Sequence, residues 1–310
     1  MEQIPSVSIV VPVYESSHSL VELAQRVHAV FAKHPGATFE ILLIDDGSRS
    51  PGTGETLRTL SAGYPGITVI RLTRNFGRIA AVLCGLKHAR GQNIIIMDDD
   101  LQHRPEDIPA LLEHRDHDIV VAQFPVRNHD ALTILGSWIK SHFDRIILGL
   151  PCRISAFVSL RREVVEAMLQ MTSPRPFLPA LMASVTSDFH PIVLNHDASR
   201  HGRSRYSFMR RFVQFTNLLI GNSNLVLHAF GIIGGVVAAT GFLAMFVIIF
   251  LKFSGRIAEA GWASLVVINL LFGGLILVAL GIIGEYLLRI LEGGTQKPTY
   301  VVRSICRGKN

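Results

Sequence analysis

The chain has 310 residues, 49% of them hydrophobic, with a mean hydropathy of +0.36 and a formal charge of +6. It is more apolar than a soluble domain of this size needs, and Cys84, Cys152 and Cys306 are too few and too scattered for a disulfide framework or a zinc site. No G-x-x-x-x-G-K-[ST] loop or His-Glu-x-x-His pair is present, and Gly52-Thr53-Gly54 lacks the strand context and third glycine of a dinucleotide fingerprint, which argues against ATPases and nicotinamide-dependent dehydrogenases.

Met1-Glu2-Gln3-Ile4-Pro5 has no basic start, and Val7–Val13 is too short and strand-like for a signal core, so the first two-thirds of the chain are expected to stay in the cytoplasm. Val7–Val13 reads as a strand, with a turn at Tyr14–Ser17. A helix is predicted over Ser19–Ala32, with Leu20, Leu23, Ala24, Val27, Val30 and Phe31 on one face. Glu40–Ile44 is a second strand, ending in Asp45-Asp46-Gly47-Ser48. A short helix near Glu55–Leu60, a strand at Ile67–Leu72 and a helix at Ile79–Ala89 follow. The next strand starts at Asn93, and a helix at Glu106–His114 and a strand at Asp118–Ala122 come after it. This alternation predicts an α/β fold with a mostly parallel sheet and helices on both faces. Beyond Asp130 the pattern loosens into helices (Leu132–Leu148, Glu163–Met171, Phe177–Ser184) and short strands near Phe157–Leu160 and His190–Leu194.

The stretch Ile94-Ile95-Ile96-Met97-Asp98-Asp99-Asp100 is the most informative in the chain. Three acids at the mouth of a buried strand repel one another and raise one another's pKa values. A cation among them removes the conflict, and aspartate oxygens suit Mg²⁺ or Mn²⁺. Strand alternation would let Asp98 and Asp100 converge while Asp99 points elsewhere. The plainer reading is an acidic loop that caps the helix begun by Pro105. Ligands in open parallel sheets bind at strand carboxyl ends, and Asp45–Ser48 and Asp98–Gln102 both lie at such ends.

From Ala229 to Leu251 and from Gly261 to Gly284 there is no charged residue. Each run reaches the roughly 20 residues that an α-helix needs to cross a bilayer, so two membrane spans are expected. Arg200, Arg203, Arg205, Arg210 and Arg211 precede the first; Arg289, Lys297, Arg303, Arg307 and Lys309 follow the second. The positive-inside rule then puts both termini in the cytoplasm, at an inner membrane. The basic charge reads as contact with anionic lipid rather than nucleic acid. Ser207–Leu219 mixes aromatics with Arg210 and Arg211, as in a helix lying in the membrane interface, or in a core helix. Gly231, Gly234 and Gly235 permit close helix packing and a homo-oligomer. The expected organisation is a catalytic domain at 1–202, juxtamembrane helices at 203–228, a two-helix hairpin at 229–288 and a tail at 289–310.

The order Val11-Pro12-Val13-Tyr14-Glu15, Ile44-Asp45-Asp46-Gly47-Ser48, Arg74-Asn75-Phe76-Gly77-Arg78 and Met97-Asp98-Asp99-Asp100-Leu101-Gln102-His103-Arg104-Pro105-Glu106 resembles a family 2 glycosyltransferase of the polyprenyl-phosphate subgroup. Gly202-Arg203-Ser204-Arg205-Tyr206-Ser207 and Gly284-Glu285-Tyr286 extend the likeness to nearly the whole chain. The resemblance implies a GT-A type nucleotide-diphospho-sugar transferase fold, and transfer of a sugar from a UDP- or GDP-linked donor to a polyprenyl phosphate with inversion. It places Pro12, Tyr14, Glu15 and Asp46 at the nucleoside, with Asp99 beside the donor. Asp98, Asp100 and Gln102 fall at the metal, which makes Asp100 a catalytic candidate. Arg78 falls at the donor diphosphate, where the family often has lysine; by itself it is also an ordinary helix-start charge. Arg127 matches an arginine linked to the acceptor phosphate. Arg203 and Arg205 are further candidates there, or plain lipid-surface contacts.

One departure bears on the acceptor. Where relatives often carry an acid before the phenylalanine matching Phe157 and an arginine after it, this chain has Ala156 and Val158. Two other readings follow. One keeps the donor but moves the sugar to a glycolipid or polysaccharide hydroxyl, with Asp99, His103 or an acid beyond Asp100 as base. The other is a catalytically silent nucleotide-sugar-binding subunit.

Overall fold

The computed structural model describes residues 4–124, 150–152, 154–171, 176–194, 262–294 and 298–308, with positions 243, 246, 250 and 254. Two compact units are present: Met1–Arg205 together with Lys297–Asn310, and Tyr206–Gln296.

The first unit holds strands β1 (Val7–Val13), β2 (Phe39–Asp45), β3 (Ile67–Leu72), β4 (Asn93–Ile96), β5 (Ile119–Gln123), β6 (Val158–Arg161), β7 (Phe189–Val193) and β8 (Val302–Arg307). Its helices are α1 (Leu20–Ala32), α2 (Pro51–Gly63), α3 (Arg78–His88), α4 (Ile108–Glu113), α5 (Arg162–Gln170) and α6 (Leu178–Val185). The strands form one sheet in the order β7-β5-β6-β4-β1-β2-β3-β8. β1 pairs in parallel with β2 and β4, and β2 with β3. The expected parallel core is therefore present, but β6 lies antiparallel between β4 and β5, and β8 lies antiparallel on β3.

All seven residues of β1 are buried, as expected of a central strand covered on both faces. Its side chains alternate: Ile9, Val11 and Val13 join a core with the Leu20, Leu23, Val27 and Phe31 face of α1, while Val10 joins a second core with α3 and β6. Gly85 lets α3 approach the sheet, because a Cβ there would overlap the Val10 side chain. α2 starts at Pro51, before the Glu55 predicted for it: proline at the first helical position needs no N–H partner.

β8 lies in the stretch expected to be a tail. Thr73 N–H donates to Val301 O, and Gly308 N–H to Ile67 O, each at 2.9 Å. Chain that follows the second apolar run thus closes the edge of the sheet in the first unit. A six-residue strand at a terminus, antiparallel to a partner some 230 positions earlier, has no local signal beyond its own β-branched residues.

In the second unit, helix α7 (Trp262–Gly294) runs for 33 residues and exposes Leu265, Ile268, Leu280 and Ile290. Counted over the described residues alone, no helix is long and apolar enough to cross a membrane. The two expected spans are thus not established by the structure. The predicted helix Leu132–Leu148, the interface helix Ser207–Leu219, glycines 231, 234 and 235 and all but three positions of the 229–251 run lie outside the described residues.

At the amino ends of the strands a polar cluster ties three elements together. Ser8 and Glu40 face each other in the β1–β2 register, and Ser8 Oγ donates to Glu40 Oε1 at 2.6 Å. Arg90 reaches the same carboxylate through its backbone N–H at 2.7 Å and its guanidinium at 3.0 Å, while Gly91 N–H donates to Ser8 Oγ at 2.7 Å. Glu40→Ala would leave Ser8 and Arg90 without their acceptor. A loss of ~1–3 kcal/mol is expected, reduced from the fully buried case because Arg90 is half exposed. Thermal unfolding should register that loss while nucleotide affinity stays unchanged, since the cluster is at the strand ends opposite the acidic turns.

Candidate active site

In-register parallel pairing brings the carboxyl ends of β1, β2 and β4 to one level, and a cleft of about 290 Å³ opens there. It is lined by the ends of β1 (Pro12, Val13, Tyr14), the β2 turn (Asp46), the loop before α3 (Asn75, Gly77, Arg78) and all three acids after β4. Six residues expected at the donor, namely Pro12, Tyr14, Asp46, Arg78, Asp98 and Asp99, meet in this cleft, as does Asp100.

The loops around it are held by side chain to backbone bonds. Asp46 accepts the N–H groups of Phe76 (2.7 Å) and Gly77 (2.8 Å), latching the β3–α3 loop to the end of β2. Burial pushes the Asp46 carboxyl up, and those two donors oppose the rise. Glu15, in left-handed backbone at φ 53°, accepts the N–H groups of Arg49 (2.8 Å) and Ser50 (3.1 Å), and its own N–H donates to Ser48 Oγ at 2.9 Å. Glu15 is therefore a clamp on the turn before α2 and is not among the residues lining the cleft. Buried Asp45 accepts Ser48 N–H at 2.8 Å and pairs with Arg71 Nε at 3.1 Å, and Arg71 also donates to Ser48 O at 2.7 Å. Arg71 was not singled out in the sequence, since one arginine in a strand has no pattern to mark it.

The acidic triplet differs from its strand-based expectation. β4 ends at Ile96, so Asp98, Asp99 and Asp100 lie in a turn and the two-residue alternation does not apply. Asp99 lines the cleft with its neighbours instead of pointing elsewhere. Burial pushes its carboxyl up to about 6; a hydrogen bond from Ser16 opposes the rise, and the charges of Asp98 and Asp100 add to it. Asp98 is paired with Arg78, whose Nε lies 2.7 Å from Oδ1. Asp100 is exposed, and its Oδ1 accepts Gln102 N–H at 3.0 Å. Gln102 is not among the lining residues, and its backbone N–H is what meets Asp100.

His103 fixes this turn from beneath. Its Nδ1 accepts Asp98 N–H at 3.1 Å, and its ring is stacked on Phe124 and Phe157 at centroid distances of 5.7 and 5.2 Å. The ring is 7% exposed. Its Nδ1 lone pair is thus engaged by a backbone donor inside an aromatic sandwich. Val158, where an arginine was expected, packs at 1% exposure in the second core and does not line the cleft. Ala156 is half-buried. Arg127, Arg203 and Arg205 lie outside the described residues.

Hard oxygen donors beside a cation-neutralised carboxylate suit a divalent ion, and the guanidinium on Asp98 marks where positive charge is stable. Among the described residues no group of three or more His, Cys, Asp or Glu is placed to hold a metal by itself. Asp98 and Asp100 would thus supply part of a shell that substrate phosphates complete, the usual arrangement for Mg²⁺.

A doubly covered parallel core with acids and an arginine at its carboxyl edge fits a nucleotide-sugar transferase of the GT-A type, the class to which comparison with known proteins assigns it. Residues 8–169 match the model of Glycosyl transferase family 2. The chain belongs to that family and is a glycosyltransferase of its polyprenyl-phosphate branch. It is 32% identical to the undecaprenyl-phosphate 4-deoxy-4-formamido-L-arabinose transferase of Edwardsiella ictaluri, over 97% of this chain and 94% of that protein. The protein of the same name from Klebsiella pneumoniae is 30% identical over 98% and 94%. Among solved structures, Mycobacterium tuberculosis glucosyl-3-phosphoglycerate synthase shares the fold, with a TM-score of 0.50 and 13% identity over 71% of this chain and 81% of that one.

Gly47 tests the latch between β2 and the α3 loop. Its φ is +71° and a Cβ would overlap the backbone of Arg74. Gly47→Ala should therefore displace the loop at a strain of ~1–3 kcal/mol; if binding must restore the loop, nucleotide affinity should fall by about 5- to 150-fold. Calorimetric titration with UDP and GDP reads this, and unchanged affinity would mean the latch does not shape the donor site.

Proposed function

We propose that this protein transfers a sugar from a nucleoside-diphosphate donor to a polyprenyl phosphate of the undecaprenyl type, at the cytoplasmic face of a bacterial inner membrane. The observation that carries the reading is the convergence of Asp46, Arg78, Asp98, Asp99 and Asp100 on one cleft. Relatives named for undecaprenyl phosphate, matching along nearly the whole chain, support the acceptor. Their sugar, 4-deoxy-4-formamido-L-arabinose, is one candidate donor group.

In this reading an acceptor phosphate oxygen attacks the anomeric carbon, a carbon–oxygen bond forms there, and the bond to the nucleoside diphosphate breaks with inversion. The phosphate oxygen is already ionised at neutral pH, so no strong base is required. The chain's task is to orient the two substrates and to balance charge. Pro12 and Tyr14 border the nucleoside, with Glu15 and Asp46 holding the loops around it. Arg78 turns to the donor diphosphate, where its planar fork matches phosphate oxygens. Arg127, with Arg203 and Arg205 in support, holds the acceptor phosphate. Mg²⁺ or Mn²⁺ on Asp98 and Asp100, with Gln102 as a further oxygen ligand after a side-chain movement, would offset charge on the departing diphosphate. A hydroxyl acceptor would need a base, for which Asp99, His103 or an acid beyond Asp100 would have to serve.

Membrane anchoring by two spans, 229–251 and 261–284, belongs to the same proposal. Residues 1–205 and 297–310 form one unit. A segment that leaves and returns to one unit crosses a bilayer an even number of times, which supports a hairpin with both termini cytoplasmic. On this reading the domain limits are 1–202, 203–228, 229–288 and 289–310, with β8 inside the last.

Detergent-purified protein with Mn²⁺ or Mg²⁺, undecaprenyl phosphate and a panel of UDP- and GDP-sugars should form glycolipid. Chelation should abolish the product, and Asp100→Ala should lower the rate by ~100-fold or more, the scale of a lost charge-stabilising group. Donor hydrolysis without glycolipid would overturn the acceptor assignment, and glycolipid formation indifferent to chelator would overturn the metal.

A further inference from the structure

Arg78 is the first residue of α3, and its side chain is turned toward the acids. Nε and a terminal nitrogen both lie 2.7 Å from one oxygen, Asp98 Oδ1. Asp98 is flanked by Asp99 and Asp100, which line the same cleft. One acid of the three is neutralised by this guanidinium, and Asp100 is exposed.

Both partners of this ion pair are the groups that substrates would claim. A divalent ion would draw on the Asp98 carboxylate whose charge Arg78 neutralises, and a donor diphosphate on the guanidinium that Asp98 holds. The pair is also displaceable: its side chains are 41% and 29% exposed, and ion pairs that open to water are weak.

We propose that Arg78 is a placeholder cation that is handed from Asp98 to the donor diphosphate as the metal arrives, so that metal and nucleotide bind as a coupled pair. The inference rests on the metal-dependent donor site proposed above. Metal alone must displace an intramolecular counter-ion and then sits beside the freed arginine. Nucleotide alone must pull Arg78 away and leave Asp98 unpaired among like charges. Only when both are bound does every charge have a partner. The coupling is reciprocal: whatever factor the nucleotide adds to metal affinity, the metal adds to nucleotide affinity.

Free Mn²⁺, followed by electron paramagnetic resonance during titration of the full-length detergent-purified protein, tests this without turnover. UDP and GDP serve as probes. In the unaltered protein one of them should tighten Mn²⁺ binding by ~10–100-fold, within the usual range of coupling between sites. Arg78→Gln should act with opposite signs on the two ligands. Mn²⁺ alone should bind about threefold or more tighter, nucleotide should bind more weakly, and the coupling should shrink to a few-fold. Arg78→Lys keeps the charge but loses the two-nitrogen contact, and should fall between. If Arg78→Gln leaves Mn²⁺ affinity unchanged or weaker while nucleotide still promotes Mn²⁺ binding, the handover is overturned and the metal site stands. If the unaltered protein binds no Mn²⁺ with or without either nucleotide, the metal site is overturned and the handover falls with it.

Discussion

Parallel pairing of β1 with both β2 and β4 is the constraint on which the site depends. The register sets Val13 opposite Asp45 and Val10 opposite Ile96, so the turns that follow these strands come out of the sheet side by side. Those turns carry carboxylates, and placing four of them on one cleft is unfavourable unless each is compensated. The surrounding structure supplies that compensation locally. Asp46 accepts two backbone N–H groups, Asp98 has Arg78, and Asp100 accepts the N–H of Gln102.

Asp99 is the member of the set whose position is met by a raised pKa rather than by a cationic partner. Residual strain collects in the same place. The two non-glycine residues with positive φ among the described residues, Glu15 and Leu101, sit in the β1 and β4 turns. Such conformations persist where surrounding bonds over-determine them; for Glu15 these are the bonds to Arg49, Ser50 and Ser48. The two ends of the sheet thus do different work. The Ser8–Glu40–Arg90 cluster at the amino ends is closed by internal bonds, whereas the groups at the carboxyl ends make contacts that a substrate can replace.

The polar and aromatic support beneath the acids also bears on the chemistry. His103, stacked on Phe124 and Phe157 with Nδ1 on the Asp98 N–H, is a structural part of the turn. Val158, next in sequence to Phe157, lies in the opposite core because successive residues of an extended chain face opposite ways. An arginine at that position would be a buried charge in an apolar cluster of Val10, Ile96 and Val121. The departure from the family pattern is therefore consistent with packing in this chain.

The sequence by itself determined the central α/β alternation, the apolar face of α1, the strands β1 and β3 to the residue, and Asp46, Asp98 and Asp100 as acids at the ends of buried strands. These follow from local periodicity and from acids abutting buried strands, which are signals a short window contains. Tertiary structure decided the rest. Where β4 stops set the orientation of the triplet, and a turn carries no period-two rule. Loop packing turned Glu15 into a clamp on the turn before α2. The antiparallel insertion of β6 and the return of β8 to β3 depend on partners far away in the chain, and strands of four to six residues carry too little pattern to announce those pairings. The pairing of Arg78 with Asp98, 20 residues apart, exists only because the sheet brings two loop ends together, a proximity that no linear spacing encodes.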